Sequence, residues 1–302
     1  MSQNKTNLDY FEISATKPET PDTRYMCLEW DKDINEYVST TKKLKELLAT
    51  IKTLNERGDD AKRIYEDLFE LVKNKFSSKS ELNCFINACD ATTATVDNIE
   101  TFHELVDLYL KHRDFTELTP KEWIQAIIDK GASRKKGKIG EVKVVELAKE
   151  AGFNEVDNWN DFKGKNKVVT RFSKGVFDAE GIKNNLGLDL DFKSQDKMLD
   201  IILKNGNKIA FLEAKHLKEG GGEQDKQVKE LIDIISKCPQ EDNVYHIAFM
   251  DGLYSNILLT QESSTKKNKI EKQLADIKEA LRKNKNCFWV NTEGLIALLK
   301  NF

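Results

Sequence analysis

A chain of 302 residues and 34.6 kDa is long enough for one large domain or two ordinary ones, and we expect two. Lys and Arg number 48 against 51 Asp and Glu, which gives a formal net charge of -3, and hydrophobic residues make up 39%. This balance is typical of a globular protein and excludes a globally basic surface, so nucleic-acid binding would have to depend on local basic patches.

The N-terminal third divides into two segments. Residues 1–28 have no sustained hydrophobic periodicity and include the turn-forming stretch KPETPDTR, which predicts an irregular arm. Residues 29–118 follow a helical pattern, with Leu44, Leu48 and Ile51 at three- and four-residue steps. Short polar joints separate the helices, so we predict an all-helical region that serves recognition or dimerisation.

A sharper start signal marks the next region. In the stretch LTPKEW, Thr119 can cap a helix, Pro120 suits its first position, and Glu122 completes a capping box. We therefore predict a helix start at Thr119 and a C-terminal domain that covers residues 119–302.

The C-terminal part alternates strand and helix patterns. The basic segment SRKKGK leads into a helix that ends at Gly152, and an apolar hairpin with its turn at Asn205-Gly206 lies further on. Strands are predicted at VYHIAFM and CFWV, and helices at about residues 223–237, at IEKQLADIKEALRK and at EGLIALLK. This alternation predicts an α/β fold with a mixed central sheet flanked by helices.

The cysteines and the N-terminus bear on the compartment. Five cysteines without a CxxC motif or a Cys/His cluster argue against a disulfide framework or a structural zinc site. No apolar run approaches the roughly 18 residues of a membrane span, and MSQNKTNLDY is polar where a signal peptide would be apolar. We therefore expect a cytoplasmic protein with no membrane association.

Three ionisable residues stand in the apolar hairpin, where a buried strand ordinarily has none. Glu213 and Lys215 follow IAFL, and the two-residue period of a strand places them on one face. The hairpin turn folds Asp200 back beside Glu213. Two adjacent carboxylates repel each other unless a cation lies between them, and oxygen ligands suit Mg²⁺. A buried salt bridge from Lys215 to Glu213 or to Asp200 is the structural alternative.

Glu141 is a third candidate carboxylate. It follows GKIG at the start of a helix and shares a face with Val144, Val145 and Ala148, so we expect it to point inward. The alternative is that an acidic residue is simply favoured in a first helical turn.

His216, which completes EAKH, is interpreted as structural.

A glycine-containing loop, EGGGEQDKQ, follows the hairpin. Its glycines would let a DNA backbone approach, while Gln224, Lys226 and Gln227 would donate to phosphates or bases. The alternative is a solvated helix face. The candidate phosphate contacts are Lys135, Lys136, Lys138 and Lys218.

The order of these predicted elements resembles the PD-(D/E)xK nuclease superfamily. A helix carries Glu141, two successive strands carry Asp200 and then Glu213-Ala214-Lys215, and a glutamine-bearing helix follows. Within it, the chain looks like the type II restriction endonucleases. The resemblance covers roughly residues 137–250, and its motif is short.

The resemblance implies a mixed sheet flanked by helices and Mg²⁺-dependent hydrolysis of double-stranded DNA by a homodimer, with Mn²⁺ able to replace Mg²⁺. It implies that Asp200 and Glu213 bind the metal, that Lys215 holds the nucleophilic water, and that Glu141 is an outer or additional ligand. Leu199 is a departure, since a proline often precedes the aspartate in the family.

The predicted function is a sequence-specific endonuclease of a restriction system. A structure-specific or recombination nuclease with the same core is the first alternative, and a non-catalytic DNA-binding or assembly module is the second. Cleavage of an unmodified plasmid into discrete bands distinguishes the two nucleases. Calorimetry with Mg²⁺ or Mn²⁺ separates both of them from a salt-bridged module, which should bind neither ion.

Overall fold

The computed structural model describes residues 5–25, 30–75, 80–89, 91, 98–114, 120–131, 136–188, 199–236, 241–260 and 267–302. These residues form two compact units. One contains Met1–Tyr25 together with Lys136–Phe302, and the other contains Met26–Lys135. The prediction of one continuous C-terminal domain therefore omitted the N-terminal segment.

That N-terminal segment contains a helix, α1 (Asn7–Thr16), so the prediction of an irregular arm is wrong there. The helix buries Asn7, Tyr10, Phe11 and Ser14, which stand at i, i+3, i+4 and i+7. Two of these four positions are polar, which explains why no hydrophobic period was visible. The polar pair is satisfied within the fold, since the Asn7 amide donates to the carbonyl oxygens of Leu281, Asn284 and Cys287.

The all-helical prediction is confirmed in the second unit. Its first four helices pack around a shared apolar core that includes Leu48, Leu68 and Val106. The helices are α2 (Trp30–Arg57), α3 (Lys62–Lys75), α4 (Glu81–Ala88), α5 (Ile99–His112) and α6 (Lys121–Gly131).

The predicted domain boundary differs from the observed one. Thr119 lies outside the described residues, and α6 begins at Lys121. Ile124 and Ile128 of α6 pack against Ile34 of α2, so α6 belongs to the helical unit and the boundary follows it. A capping signal identifies a helix start, but it carries no information on which core the helix joins.

A six-stranded mixed sheet organises the larger unit, which confirms the predicted α/β class. The strands lie in chain order, with β2–β3 and β3–β4 antiparallel and the other neighbours parallel. The elements are α7 (Lys136–Glu150), β1 (Asn154–Glu155), α8 (Trp159–Gly164), β2 (Lys167–Arg171), α9 (Ala179–Leu186), β3 (Ile201–Asn205), β4 (Lys208–His216), α10 (Gly222–Ser236), β5 (Val244–Asp251), α11 (Tyr254–Thr260), α12 (Lys267–Lys283), β6 (Cys287–Val290) and α13 (Thr292–Asn301).

The β3–β4 hairpin turns one residue later than predicted. Asn205 pairs with Lys208, so the loop is Gly206-Asn207, and Gly206 has a φ of 60° that suits glycine. The hairpin then runs back to the pair Ile201↔Leu212, which places the end of β4 beside the residue that precedes β3.

Helices cover both faces of the sheet. On one face, Val144 and Ala148 of α7 pack against Leu212 and Phe249. On the other face, Val228 of α10 packs in a second apolar cluster with neighbours from β5 and β6. Charged residues on β4 therefore lie between two packed layers.

Two further observations concern the helices and the cysteines. Within the described ranges, no helix combines the length and apolar character that crossing a bilayer requires. Cys287, at the start of β6, is disulfide-bonded, so the expectation drawn from the cysteines does not hold at that position.

Candidate functional site

The hairpin brings its three predicted site residues together. Asp200 lies immediately before β3, and its Oδ2 accepts a hydrogen bond from the backbone N–H of Ala214 at 2.8 Å. On β4, the Lys215 Nζ donates to Glu213 Oε1 at 2.5 Å. Residues that are 13 to 15 positions apart in the sequence thus meet at the carboxyl end of β4, as the two-residue period and the turn predicted.

Lys215 is surrounded by carboxylates. Its Nζ also lies 3.4 Å from an oxygen of Glu230 on α10, which the sequence had not indicated. Burial acts to lower the pKa of Lys215, but the charges of Glu213, Glu230 and Asp200 outweigh it and raise the pKa above its usual value. The ammonium group therefore stays protonated at neutral pH, so it can donate hydrogen bonds and stabilise negative charge.

This geometry contains the ion pair that the structural alternative proposed. Glu213 is buried, and the side chain of Lys215 is only 17% exposed. A buried pair of opposite charges is by itself weak evidence for function, because such pairs also occur as structural elements. The contact is compatible with both interpretations.

Glu141 lies half-buried in the second turn of α7, because the helix begins at Lys136 and not at Glu141, so the first-turn alternative does not apply. Val144, Val145 and Ala148, which share its face, are all buried, as predicted. Within the part of the chain that the structure describes, no three His, Cys, Asp or Glu side chains gather closely enough to hold a metal ion. Glu141, Asp200 and Glu213 therefore do not form a three-carboxylate cluster in this arrangement.

The structure describes the side chains of only some of the predicted DNA contacts. Lys218 is exposed and lies 3.7 Å from Glu219, and Lys226 is exposed and pairs with Glu223. Lys135 lies outside the described residues. Lys136 and Lys138 fall in the first turn of α7, with side chains that are likewise not described.

The two glutamines of α10 behave differently. The Gln224 side chain folds back over the glycine loop, since a Cβ on Gly221 would lie 2.5 Å from its Oε1. Gln227 stands one turn before Glu230 on the same helix face, half-buried. Gln227 is thus the glutamine nearer in sequence to the carboxylate that contacts Lys215.

A second cluster of charges, absent from the sequence prediction, surrounds Lys143. Its Nζ lies 2.8 Å from Asp251 Oδ2, 2.9 Å from Asp22 Oδ2 and 3.9 Å from Glu19 Oε2. Lys143 is 1% exposed, so these carboxylates provide the compensation that a buried ammonium needs. Burial tends to raise the pKa of Asp251, but His216 and Lys143 outweigh it and lower that pKa.

His216 is part of this network. Its Nδ1 lies 3.0 Å from Asp251 Oδ1, and its ring stacks on Tyr25 with 3.7 Å between centroids. The Tyr25 hydroxyl donates to Asp251 Oδ2 at 2.7 Å, and burial followed by the Asp251 charge raises the pKa of that hydroxyl. The network fixes the histidine ring and attaches the segment after α1 to the ends of β4 and β5.

No sequence signal could have revealed this cluster. Its members come from the N-terminal segment, from α7 and from two strand ends, so they meet only in the folded chain. Lys143 lies in the stretch EVKVV, where a lysine looks like a solvated helix residue.

Comparisons with protein-family models, with curated proteins and with solved structures found no match.

Proposed function

We propose that the chain is an Mg²⁺-dependent endonuclease that hydrolyses phosphodiester bonds of double-stranded DNA at specific sequences, as type II restriction endonucleases do. The observation that carries the proposal is the meeting of Asp200, Glu213 and Lys215 at one end of the β3–β4 hairpin. The resemblance to PD-(D/E)xK nucleases assigns catalysis to these three residue types in this order along the chain.

Lys215 is the group that acts on the reacting phosphate in this proposal. Because its pKa is raised, it acts as a hydrogen-bond donor and a fixed positive charge rather than as a general base. Such a donor orients the attacking water and stabilises the negative charge that develops on the phosphoryl oxygens. Glu213 and Glu230 hold the flexible lysine stem in place for this role.

The donor chemistry of the hairpin suits the proposed metal. Asp200 and Glu213 present carboxylate oxygens, the ligand type that Mg²⁺ prefers, and each carboxylate has about four lone-pair sites, so one accepted hydrogen bond leaves room for ligation. Bound there, the metal would polarise a phosphoryl oxygen and lower the pKa of a water molecule. No three of the described residues form a ready-made ligand group, so water molecules and the phosphate would have to complete the coordination of the metal.

The buried contact between Glu213 and Lys215 favours a second candidate, a DNA-binding or assembly module without catalysis. In that case the pair serves only to compensate two buried charges. Calorimetry distinguishes the candidates, because a purely structural pair has no reason to bind Mg²⁺ or Mn²⁺. Heat of Mg²⁺ or Mn²⁺ binding that is measured with the parent protein and disappears in Asp200→Asn supports the nuclease. If the parent protein gives no heat of binding, the result supports the module.

A double-mutant cycle tests the catalytic role directly. The variants are Glu213→Gln, Lys215→Met and their combination, with stability and DNA cleavage measured on each. As structural partners, the two residues should couple by about 0.5–3 kcal/mol in stability, so that the double variant recovers stability. The proposal predicts that cleavage does not recover with it.

A matched control comes from an exposed pair with the same separation. Lys283 and Glu279 lie 2.5 Å apart on α12, with side chains 69% and 61% exposed. The corresponding variants Lys283→Met and Glu279→Gln should change stability very little, because water screens an exposed pair, and should leave cleavage unchanged. If cleavage returns in the double variant of the hairpin, the pair is structural and the proposed roles are wrong.

A further inference from the structure

A cleft of about 660 Å³ opens at the opposite end of the sheet. It lies at the amino ends of β4, β5 and β6, where Lys208, Tyr245 and Phe288 line it together with the start of α1 and the end of α13. Lys208 begins β4, seven residues before Lys215, which corresponds to about 23 Å along the strand. The cleft is therefore separate from the hairpin site.

The charged side chains that line this cleft have one sign, and one of them, Lys208, donates to a main-chain oxygen of Phe302 at 3.4 Å. Four cationic side chains line it, and no Asp or Glu side chain is among the described lining residues. In the chain as a whole, acidic residues slightly outnumber basic ones, so a purely cationic lining is a local segregation. It gives the cleft a positive potential that attracts anions. The four cations are Lys5, Lys208, Arg282 and Lys285.

The floor of the cleft is aromatic. Tyr245 is half-buried, and its ring centroid lies 5.4 Å from that of Phe302 and 6.1 Å from that of Phe288. Tyr10 packs edge-on against Phe288 at 5.8 Å. These contacts hold Tyr245 in place while part of its side chain remains accessible, so a planar ligand would meet a rigid aromatic surface.

We propose that this cleft binds a nucleotide, with its phosphates on the cations and its base against Tyr245. A volume of about 660 Å³ is in the range of small-molecule sites, which is about 300–1,000 Å³. Cations alone would select any small anion, and an apolar floor alone would select any apolar ligand. The combination of both in one cleft selects an anion that also has an aromatic ring, and stacking on an aromatic side chain tolerates every base.

Calorimetry on the full chain tests the proposal, with ATP as the probe and EDTA present so that no metal at the hairpin contributes. Tripolyphosphate, adenosine and decanoate serve as partial ligands that carry only the charge, only the base, or a charge on an acyl chain. ATP should bind more tightly than each of the three. The combined variant Arg282→Ser/Lys285→Ser should weaken ATP binding by about tenfold or more, because it removes two charge-assisted contacts.

Matched variants localise the effect. Lys272→Ser removes an exposed cation from the same helix outside the cleft and should leave ATP binding unchanged. Tyr245→Leu should weaken binding, while Tyr245→Phe keeps the ring and should retain it. Lys215→Met should bind ATP as the parent protein does, whether or not it cleaves DNA, which separates this proposal from the nuclease. The nucleotide proposal would be overturned if tripolyphosphate or decanoate bound as tightly as ATP. It would also be overturned if the Arg282/Lys285 variant bound ATP as tightly as the parent protein.

Discussion

Replacement of Lys143 by methionine is the perturbation whose effect the structure determines most directly. Lys143 is 1% exposed and faces three carboxylates, of which Asp251 is 1% exposed and Glu19 is 4% exposed. Methionine fills a similar volume, so the main change is the loss of the positive charge. Asp251 and Glu19 would then share a buried site without their cation.

Removal of one partner from a buried ion pair costs about 3–5 kcal/mol, because the remaining charge is left uncompensated. We expect Lys143→Met to fall in this range, since hydrogen bonds from Tyr25 and His216 to Asp251 and from the Thr292 N–H to Glu19 remain, but no cation of comparable burial among the described residues replaces the lost charge. A loss of this size is a large fraction of the roughly 5–15 kcal/mol by which native domains are stable.

The loss should depend on pH. In the parent protein the pKa of Asp251 is lowered, so its contribution is present above the unfolded pKa of about 3.9 and is lost as the pH falls through the lower folded value. Without Lys143 the carboxylates take up protons more readily, and protonation removes their buried charge. The difference in stability between parent and variant should therefore shrink as the pH falls from 7 towards 4.

Urea unfolding at a series of pH values measures this difference. Lys149→Met is the control, because Lys149 lies on the same helix with its side chain 55% exposed and should change stability by less than about 1 kcal/mol. A loss below about 1 kcal/mol in Lys143→Met, or a loss that stays constant with pH, would refute the reasoning.

Three other substitutions have defined outcomes. Burial lowers the pKa of His246 to about 4, so the parent should lose about 2–3 kcal/mol of stability relative to His246→Phe as the pH falls from 6.5 towards 4 in urea unfolding. Gly252→Ala should cost about 2 kcal/mol or more in the same assay, because φ is 88° and a Cβ would lie 2.4 Å from the Leu217 carbonyl oxygen. Glu141→Gln should raise the Mg²⁺ concentration needed for cleavage without changing stability.

A specific result would contradict each of these three predictions. Parallel pH profiles for the parent and the His246 variant would mean that the buried histidine does not titrate as stated. The control for Gly252 is Gly58→Ala, where φ is 77° and an added Cβ would meet none of the described neighbouring atoms within 4 Å. Equal losses of stability in the two variants would show that the Leu217 contact is irrelevant. An unchanged Mg²⁺ titration would leave Glu141 as an ordinary residue of the second turn of α7.

Local patterns predicted the hairpin well, because a strand period and a Gly-containing turn determine which residues lie opposite each other. The meeting of Asp200 with the end of β4 follows from that register alone. Helices with a complete apolar stripe, such as α12 (Lys267–Lys283), were likewise visible in the sequence.

Features that depend on distant partners were not predictable. The helix α1 was missed because its buried face includes Asn7 and Ser14, which form hydrogen bonds to residues more than 270 positions away. Glu230 was missed because nothing on α10 indicates that it faces Lys215. The Lys143 cluster required the N-terminal segment to lie against strand ends, and a single sequence has no signal for that contact.

Digestion of a DNA of known sequence, followed by mapping of the cut ends, tests the central claim most directly. The parent protein should produce discrete fragments in Mg²⁺ and none in EDTA. Glu213→Gln and Lys215→Met should produce none under either condition, while the exposed-pair control Lys283→Met should cut as the parent does. Intact DNA after incubation of the folded parent with Mg²⁺, or equal cutting by the hairpin variants, would contradict the account.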